Sequence, residues 1–225
     1  MKEKFSSLFL WTAILLTVCL VASNLFATKV VSILGVTLPG AVIIFPISYI
    51  LNDCISEVWG YRRARLVIWI AFAMNLFVVV AGQILVWMPP APFWDASEHF
   101  DYVFNTVPRV IGASLLAFLA GSHVNAIVLS KMKVSGEGRH FGLRAIVSSV
   151  AGEALDSAIF MPIAFWGTEA SALMVMMLSQ VTFKVFYEIV ILPVTTVAVR
   201  KMKKMEGTDV FDRGISYNPF NVKDI

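Results

Sequence analysis

The sequence predicts an all-α membrane protein with six transmembrane helices. Of its 225 residues 58% are hydrophobic and 15% are charged, and the mean hydropathy of +0.79 exceeds that of ordinary soluble domains. A transmembrane helix needs about 20 mainly apolar residues. Six stretches meet this requirement, at about 8–28, 39–59, 66–88, 108–130, 145–166 and 172–199. We expect one transmembrane domain over 1–204 and a short, polar, mobile cytoplasmic tail at 205–225.

The basic residues predict the topology. Fifteen of the 18 Lys and Arg residues lie before the first stretch, between the second and third, between the fourth and fifth, or after the sixth. Lys29 and Arg109 lie on the other side, and Lys184 lies inside a stretch. By the positive-inside rule both termini are cytoplasmic and the 89–107 loop is outside. This sorting accounts for the net charge of +3 without a nucleic-acid partner.

Six spans with both ends on one side divide into two halves that enter the membrane in opposite senses. Transporters often have such halves, with the solute site near the midplane. Asp53 lies nine residues from Arg62, and Glu153 lies nine residues from Arg144. At about 1.5 Å per residue, both carboxylates reach a similar depth. The sequence therefore suggests two inverted three-helix halves, although two matched acids also arise by coincidence.

Ionisable residues in the middle of these apolar stretches indicate function. They are Asp53, Glu153, Asp156, Lys184 and Glu188. A charged side chain at the bilayer centre costs roughly 2.5–3.5 kcal/mol, so such residues face a bundle interior, a partner or a solute path. Because acids outnumber Lys184, the excess calls for protons, a bound cation or a solute rich in hydrogen-bond donors. We expect the five to converge on one polar cavity of a transporter.

Structural roles compete with this interpretation. Lys184 and Glu188, four residues apart, could neutralise each other within one helix. Glu57 shares a helix face with Asp53, but its closeness to Arg62 also suits pairing with the basic loop. Glu153 and Asp156 form either a proton relay or a packing contact that shares a proton. The candidates for proton coupling are Asp53, Glu57, Glu153, Asp156 and His123.

Other patterns concern packing and excluded classes. Ala113, Ala117 and Gly121 recur every four residues, and small residues at this spacing let membrane helices approach closely. No His and Cys set has metal-ligand spacing, and no phosphate-binding glycine loop or serine elbow is present. We therefore expect no metal, no cofactor and no enzymatic or ATPase activity.

Several segments together resemble the queuosine precursor transporter family, which is grouped with vitamin uptake transporters. They are SNLFATK at 23–29, FPISYILNDCISEVWGYRRAR at 45–65, RVIGASLLAFLAGSHVN at 109–125, GEALDSAIF at 152–160, and Lys184 and Glu188 followed by Pro193. The resemblance implies a bacterial or archaeal inner-membrane importer of 7-deazaguanines, such as the 7-cyano and 7-aminomethyl compounds, for salvage into tRNA queuosine. Position 125 is Asn where some relatives are expected to have an acid, so the resemblance assigns it no role.

The chemistry of the residues agrees with such a solute. A deazaguanine presents adjacent N–H and NH₂ donors that a carboxylate can accept as a pair, and Lys184, Asn24 or Asn52 could donate to its O6. Tyr49 and Phe160 could stack on the ring. The expected substrate-binding residues are Asn24, Tyr49, Asn52, Asp53, Glu153, Asp156, Phe160, Lys184 and Glu188.

The sequence leaves other functions open. The chain could capture solutes for separate energy-coupling ATPase subunits, or import another purine-like solute. An intramembrane enzyme has the least support because no nucleophile and base occur in a recognisable arrangement. Homo-oligomerisation in the lipid bilayer also stays open.

Overall fold

The computed structural model describes residues 5–33, 36–104 and 108–221. Its elements are α1 (Ser7–Phe26), β1 (Val30–Ile33), β2 (Val36–Pro39), α2 (Phe45–Trp87), α3 (Ser97–Phe104), α4 (Pro108–Ser135), α5 (Phe141–Ala164) and α6 (Ala170–Glu206). Within the described residues, five helices are long and apolar enough to cross a membrane, all but α3. The protein is therefore an all-helical membrane protein apart from one small hairpin.

Local sequence signals set the ends of the helices. Ser6 precedes α1, and its hydroxyl accepts a hydrogen bond from the Phe9 amide at 3.1 Å. The sequence predicts a sixth span that ends at residue 199, but α6 continues to Glu206. Lys203 and Lys204 stabilise its last turn, and Gly207 ends it in the left-handed conformation with φ 59°.

The two spans predicted at 39–59 and 66–88 form one element, α2, which is broken at Gly60. This residue has φ 83° and ψ 171°, which suits glycine, and a Cβ atom there would lie 2.7 Å from Asp212 Oδ1. In a straight helix residues 53 and 69 would be about 24 Å apart. Instead, the side chains at both positions contact α4, Asp53 at Asn125 and Trp69 at His123. The break thus brings the first arm, 45–59, and the second arm, 61–87, together on α4.

Two connections contain structure that hydropathy does not reveal. Between α1 and α2, strand β1 pairs with β2 in antiparallel register, Val30 opposite Pro39. The predicted outer loop at 89–107 contains α3, where the Phe100 and Phe104 rings lie 4.7 Å apart. Residues 105–107 of that loop lie outside the described residues.

Helices α4 and α5 cross at two glycines. A Cβ atom on Gly121 would lie 2.9 Å from the Gly152 carbonyl oxygen, and one on Gly152 would lie 2.8 Å from that of Gly121. The close approach predicted from the small residues of α4 is therefore confirmed, with Ala113 and Ala117 buried on the same helix. This contact places Asn125 of α4 beside Gly152 of α5, the residue before Glu153.

As far as residue 221 the tail packs against the bundle, in contrast to the mobile segment expected from the sequence. Asp212 is buried and accepts a 2.8 Å hydrogen bond from the Tyr61 amide, directly after the break in α2. Arg65 donates to the Asn218 carbonyl at 2.9 Å, and Trp69 donates to that of Pro219 at 2.9 Å. The tail thus lies along one face of the second arm, where it satisfies groups that the break exposes.

Candidate functional site

Lys184 lies at the centre of the candidate site and pairs with two acids of α5. Its ammonium forms salt bridges with Glu153 and with Asp156, the latter at 3.1 Å. Because Glu153 and Asp156 are three residues apart, they lie on one face of α5, towards α6. The side chain of Lys184 is 13% exposed, and those of the two acids are 5% and 8% exposed. One cation cannot balance two carboxylates, so these three residues together have an excess of acidic groups.

Asp53 and Glu188 extend the group across the first arm of α2 and across α6. Asn125 donates to Asp53 Oδ1 at 2.8 Å, and Ser149 donates to Glu188 Oε1 at 2.8 Å. The Asp53 and Glu188 carboxyl groups also interact with each other. The fold therefore brings together all five ionisable residues that the sequence places within apolar stretches, and we call them the central cluster.

A cleft opens beside the central cluster, between α2, α5 and α6. Its cavity volume is about 20 Å³, which is room for about one water molecule, so the helices have to move apart before a base can enter. The Tyr49 ring forms one wall, with the Lys184 ammonium 5.9 Å from the ring centre. The lining residues are Pro46, Tyr49, Ile50, Glu153, Lys184, Tyr187 and Glu188.

Two buried amides next to Asp53 have an unused acceptor. Asn52 donates its Nδ2 to the Ser122 carbonyl at 3.4 Å, and Asn125 donates its Nδ2 to Asp53. Their Oδ1 atoms have no hydrogen-bond partner among the residues that the structure describes. Leaving a buried acceptor unpaired costs about 1–3 kcal/mol. The region is therefore rich in acceptors and calls for donors.

Three predicted site residues lie away from the cleft. Asn24 accepts a hydrogen bond from Ser114 at 3.3 Å, which joins α1 to α4. Phe160 packs edge-on against Phe165, with ring centres 6.2 Å apart. His123 is buried against Trp69, and its Nδ1 lies 2.7 Å from the Leu119 carbonyl oxygen. These contacts are of the packing kind, and none of the three residues lines the cleft.

Glu57 belongs to a second ionic group at one end of the bundle. Arg144 binds its carboxylate with two hydrogen bonds of 2.6 and 3.0 Å, and Lys203 donates to it at 2.7 Å. Lys133 lies 3.8 Å from it and also pairs with Asp209, which Lys203 approaches to 2.9 Å. These residues are Glu57, Lys133, Arg144, Lys203 and Asp209, and we call them the end cluster. The geometry favours the structural alternative for Glu57, with Arg144 and Lys203 as partners and not the expected Arg62.

Two residues near the site were not predicted from the sequence, although their positions along the helices indicate them. Ser149 lies four residues before Glu153, and Tyr187 lies three after Lys184, so each shares a helix face with a predicted residue. Extending each predicted face by one turn would have included both. Asn125, a weaker candidate from the sequence, lies four residues after Gly121 on the face of α4 that meets α5.

The chain is similar in sequence to known transporters. The model of the family described as "Putative vitamin uptake transporter" matches residues 39–198, which include α2 and most of the central cluster's surroundings. The "Probable queuosine precursor transporter" of Bacillus subtilis (strain 168) is 27% identical over 161 residues, which cover 71% of this chain and 69% of that protein. The "Queuosine precursor transporter" of Escherichia coli (strain K12) is 26% identical over 164 residues, which cover 73% of this chain and 71% of that protein. No solved structure matches the chain.

These matches extend over most of the helical bundle, and they concern transporters and not enzymes. The apolar helices make the protein a multi-pass protein of the bacterial plasma membrane. Since the family model matches well over half of the chain, this protein belongs to the vitamin uptake transporter family.

Proposed function

We propose that this protein imports queuosine precursors, namely 7-cyano-7-deazaguanine, 7-aminomethyl-7-deazaguanine or related 7-deazaguanines, and that inward movement of protons drives the import. The observation that carries the proposal is the acceptor-rich central cluster beside a cleft. The names of the two relatives support the solute class. The cell then incorporates the imported base into the queuosine of its tRNA.

The central cluster suits the polar edge of such a base. The N–H and NH₂ donors of a deazaguanine can bind together to one carboxylate, and Glu153 and Asp156 both lie beside the cleft. Lys184 can donate to O6 while it stays paired with the acids, and the Tyr49 ring supplies a flat wall. An aminomethyl cation is further favoured by the excess of acids. Asn24 and Phe160 receive less support because they lie away from the cleft.

The proposal includes six crossings with both termini in the cytoplasm. The start of α1 and the break in α2 lie together, since the Phe9 and Trp59 rings are 5.3 Å apart. The end cluster joins the same break to α4, α5, α6 and the tail through basic residues. This convergence supports placing all of them on the positive, cytoplasmic side. The first arm of α2 and α5, the middle helices of two inverted halves, both supply acids to the central cluster.

Labelling of single cysteines tests this topology. Native Cys19 and Cys54 are buried, so they interfere little. A Cys at Ser97 should react with an impermeant thiol reagent added to intact cells, whereas one at Ser135 should react only after the membrane is permeabilised. The reverse pattern would overturn the orientation.

Rescue of tRNA modification tests the solute. In a bacterium that cannot make the deazaguanine base but keeps the later modifying enzymes, this protein should restore queuosine in tRNA when a 7-cyano or 7-aminomethyl precursor is supplied. Excess guanine should compete poorly if the 7-substituent is bound by hydrogen bonds, because such sites reject analogues that lack the group. Lack of rescue by any precursor, despite verified membrane expression, would refute the proposal.

A further inference from the structure

Asp53 and Glu188 form a carboxyl pair at the edge of the central cluster. One oxygen of each is held by a neutral donor, Asn125 for Asp53 and Ser149 for Glu188, at 2.8 Å in both cases. The two carboxyl groups also interact with each other. Because two like charges that interact away from water repel, this arrangement favours a state in which one of the two groups carries a proton.

Asn125 supplies an independent sign that a proton is exchanged here. Its side chain is wholly buried, its Nδ2 donates to Asp53, and its Oδ1 has no partner among the described residues. Since both atoms belong to one small amide, a rotation of this amide would turn the unused Oδ1 towards the Asp53 carboxyl. An ionised Asp53 accepts from Nδ2, whereas a protonated Asp53 can donate to Oδ1. The amide can therefore satisfy either protonation state.

The pair also adjoins the proposed solute site. Glu188 lies four residues after Lys184 on α6, and both line the cleft together with Glu153. Titratable groups of the three helices around the cleft lie near the pair, and α4 contributes the neutral Asn125. The titratable groups are Tyr49, Cys54 and Glu57 on α2, Glu153 and Asp156 on α5, and Lys184 and Tyr187 on α6. A shift of α6 that admits a solute at Lys184 would also move Glu188 against Asp53.

From this geometry we propose that the Asp53 and Glu188 pair is the proton carrier of the importer, whereas Glu153, Asp156 and Lys184 hold the solute. The inference rests on the proposed function. A proton from water outside binds to one carboxylate and forms the O–H that bridges the pair. On the cytoplasmic side the bridge opens and that proton returns to water, so one proton enters with each solute. Among the proton-coupling candidates this singles out Asp53 and adds Glu188.

Proteoliposomes that contain the full chain separate coupling from binding. The probe is radiolabelled 7-cyano-7-deazaguanine, which carries no charge of its own. Two rates are measured: accumulation driven by an acidic exterior, and counterflow exchange at equal pH. In the wild type, the proton gradient should raise accumulation severalfold. Asp53→Asn and Glu188→Gln should lose that rise and keep measurable counterflow, because neither amide can carry the proton.

Glu169→Gln is the matched control, since Glu169 is an exposed acid between α5 and α6. It should keep both activities. Gradient-driven accumulation in either pair variant would overturn the inference, and loss of counterflow together with accumulation would instead assign the pair to solute binding. A pH-sensitive dye inside wild-type vesicles tests the inference without any variant. Uptake of the solute without acidification of the lumen would also overturn the inference. A wild type that neither accumulates nor exchanges any 7-deazaguanine would refute the proposed function itself.

Discussion

The central cluster and the end cluster are both buried ionic groups, but their charge balance is opposite. The central cluster has four acids around Lys184, whereas the end cluster has three cations around Glu57 and Asp209. Glu57 is 1% exposed, and its carboxylate receives two hydrogen bonds from Arg144 and one from Lys203. The central cluster, in contrast, adjoins a cleft and two unpaired amide oxygens. Buried charge alone therefore does not mark a solute site; unmatched hydrogen-bonding capacity beside a cavity does.

The two clusters also differ in how they respond when an ion is removed. Carboxyl groups left without a cation can neutralise themselves by taking up protons from water. Arg144 has no such way to become neutral, because a guanidinium keeps its charge in proteins. Removing a partner should thus destabilise the end cluster more than the central cluster.

The largest expected effect is that of Glu57→Gln on stability. The substitution leaves the buried Arg144 without its anion, which typically costs about 3–5 kcal/mol, and Lys203 keeps only its salt bridge with Asp209. We expect a large fall in the unfolding temperature of the purified protein and low membrane levels. Glu153→Gln is the comparison in the central cluster, where acids are in excess, and it should remain folded but lose uptake. A stable Glu57→Gln protein without uptake would instead make Glu57 functional.

Lys184→Met tests the central cluster from its cationic side. The variant leaves Glu153 and Asp156 without their salt bridges, but both can be neutralised by protons, so the unfolding temperature should fall less than in Glu57→Gln. Precursor uptake should fall at least tenfold, because the donor to O6 and the positions of both acids are lost. Lys201→Met, at an exposed position of α6, is the control and should transport normally. Wild-type uptake by Lys184→Met would reassign the lysine to packing.

The contrast explains what the sequence could predict. An ionisable residue within an apolar stretch can be recognised from local hydropathy alone, so the members of the central cluster are evident from single segments. The end cluster depends on contacts between distant segments, such as Lys203 with Glu57, 146 residues apart. No local pattern indicates that α5 and α6 begin and end beside the break in α2.

The tail and the break show the same limitation. Arg62, Arg63 and Arg65 predict a polar loop, yet Arg65 is wholly buried because the Asn218 carbonyl, 153 residues later, accepts its hydrogen bond. A hydrogen bond to a backbone carbonyl cannot be predicted from residue types, so the sequence predicts only a polar, mobile tail. Similarly, one glycine with positive φ replaces the expected loop, and hydropathy gives only two apolar stretches around it.

The smallest expected effect is that of Asp209→Asn, at the exposed rim of the end cluster. Its side chain is 45% exposed, and salt bridges with such exposure contribute about 0–1 kcal/mol. Burial alone would raise the pKa of the Asp209 carboxyl, but hydrogen bonds and attraction from Lys133 and Lys203 outweigh it and lower the pKa. The lowered pKa means that the contribution is present above the unfolded value of about 3.9 and is lost as pH falls through the folded value. The unfolding temperature of the wild type should therefore be slightly higher than that of Asp209→Asn at pH 7. This difference should become smaller in acid and in 1 M salt, where the Debye length is about 3 Å. A fall in unfolding temperature as large as that of Glu57→Gln would show that Asp209 and the buried Glu57 act as one unit.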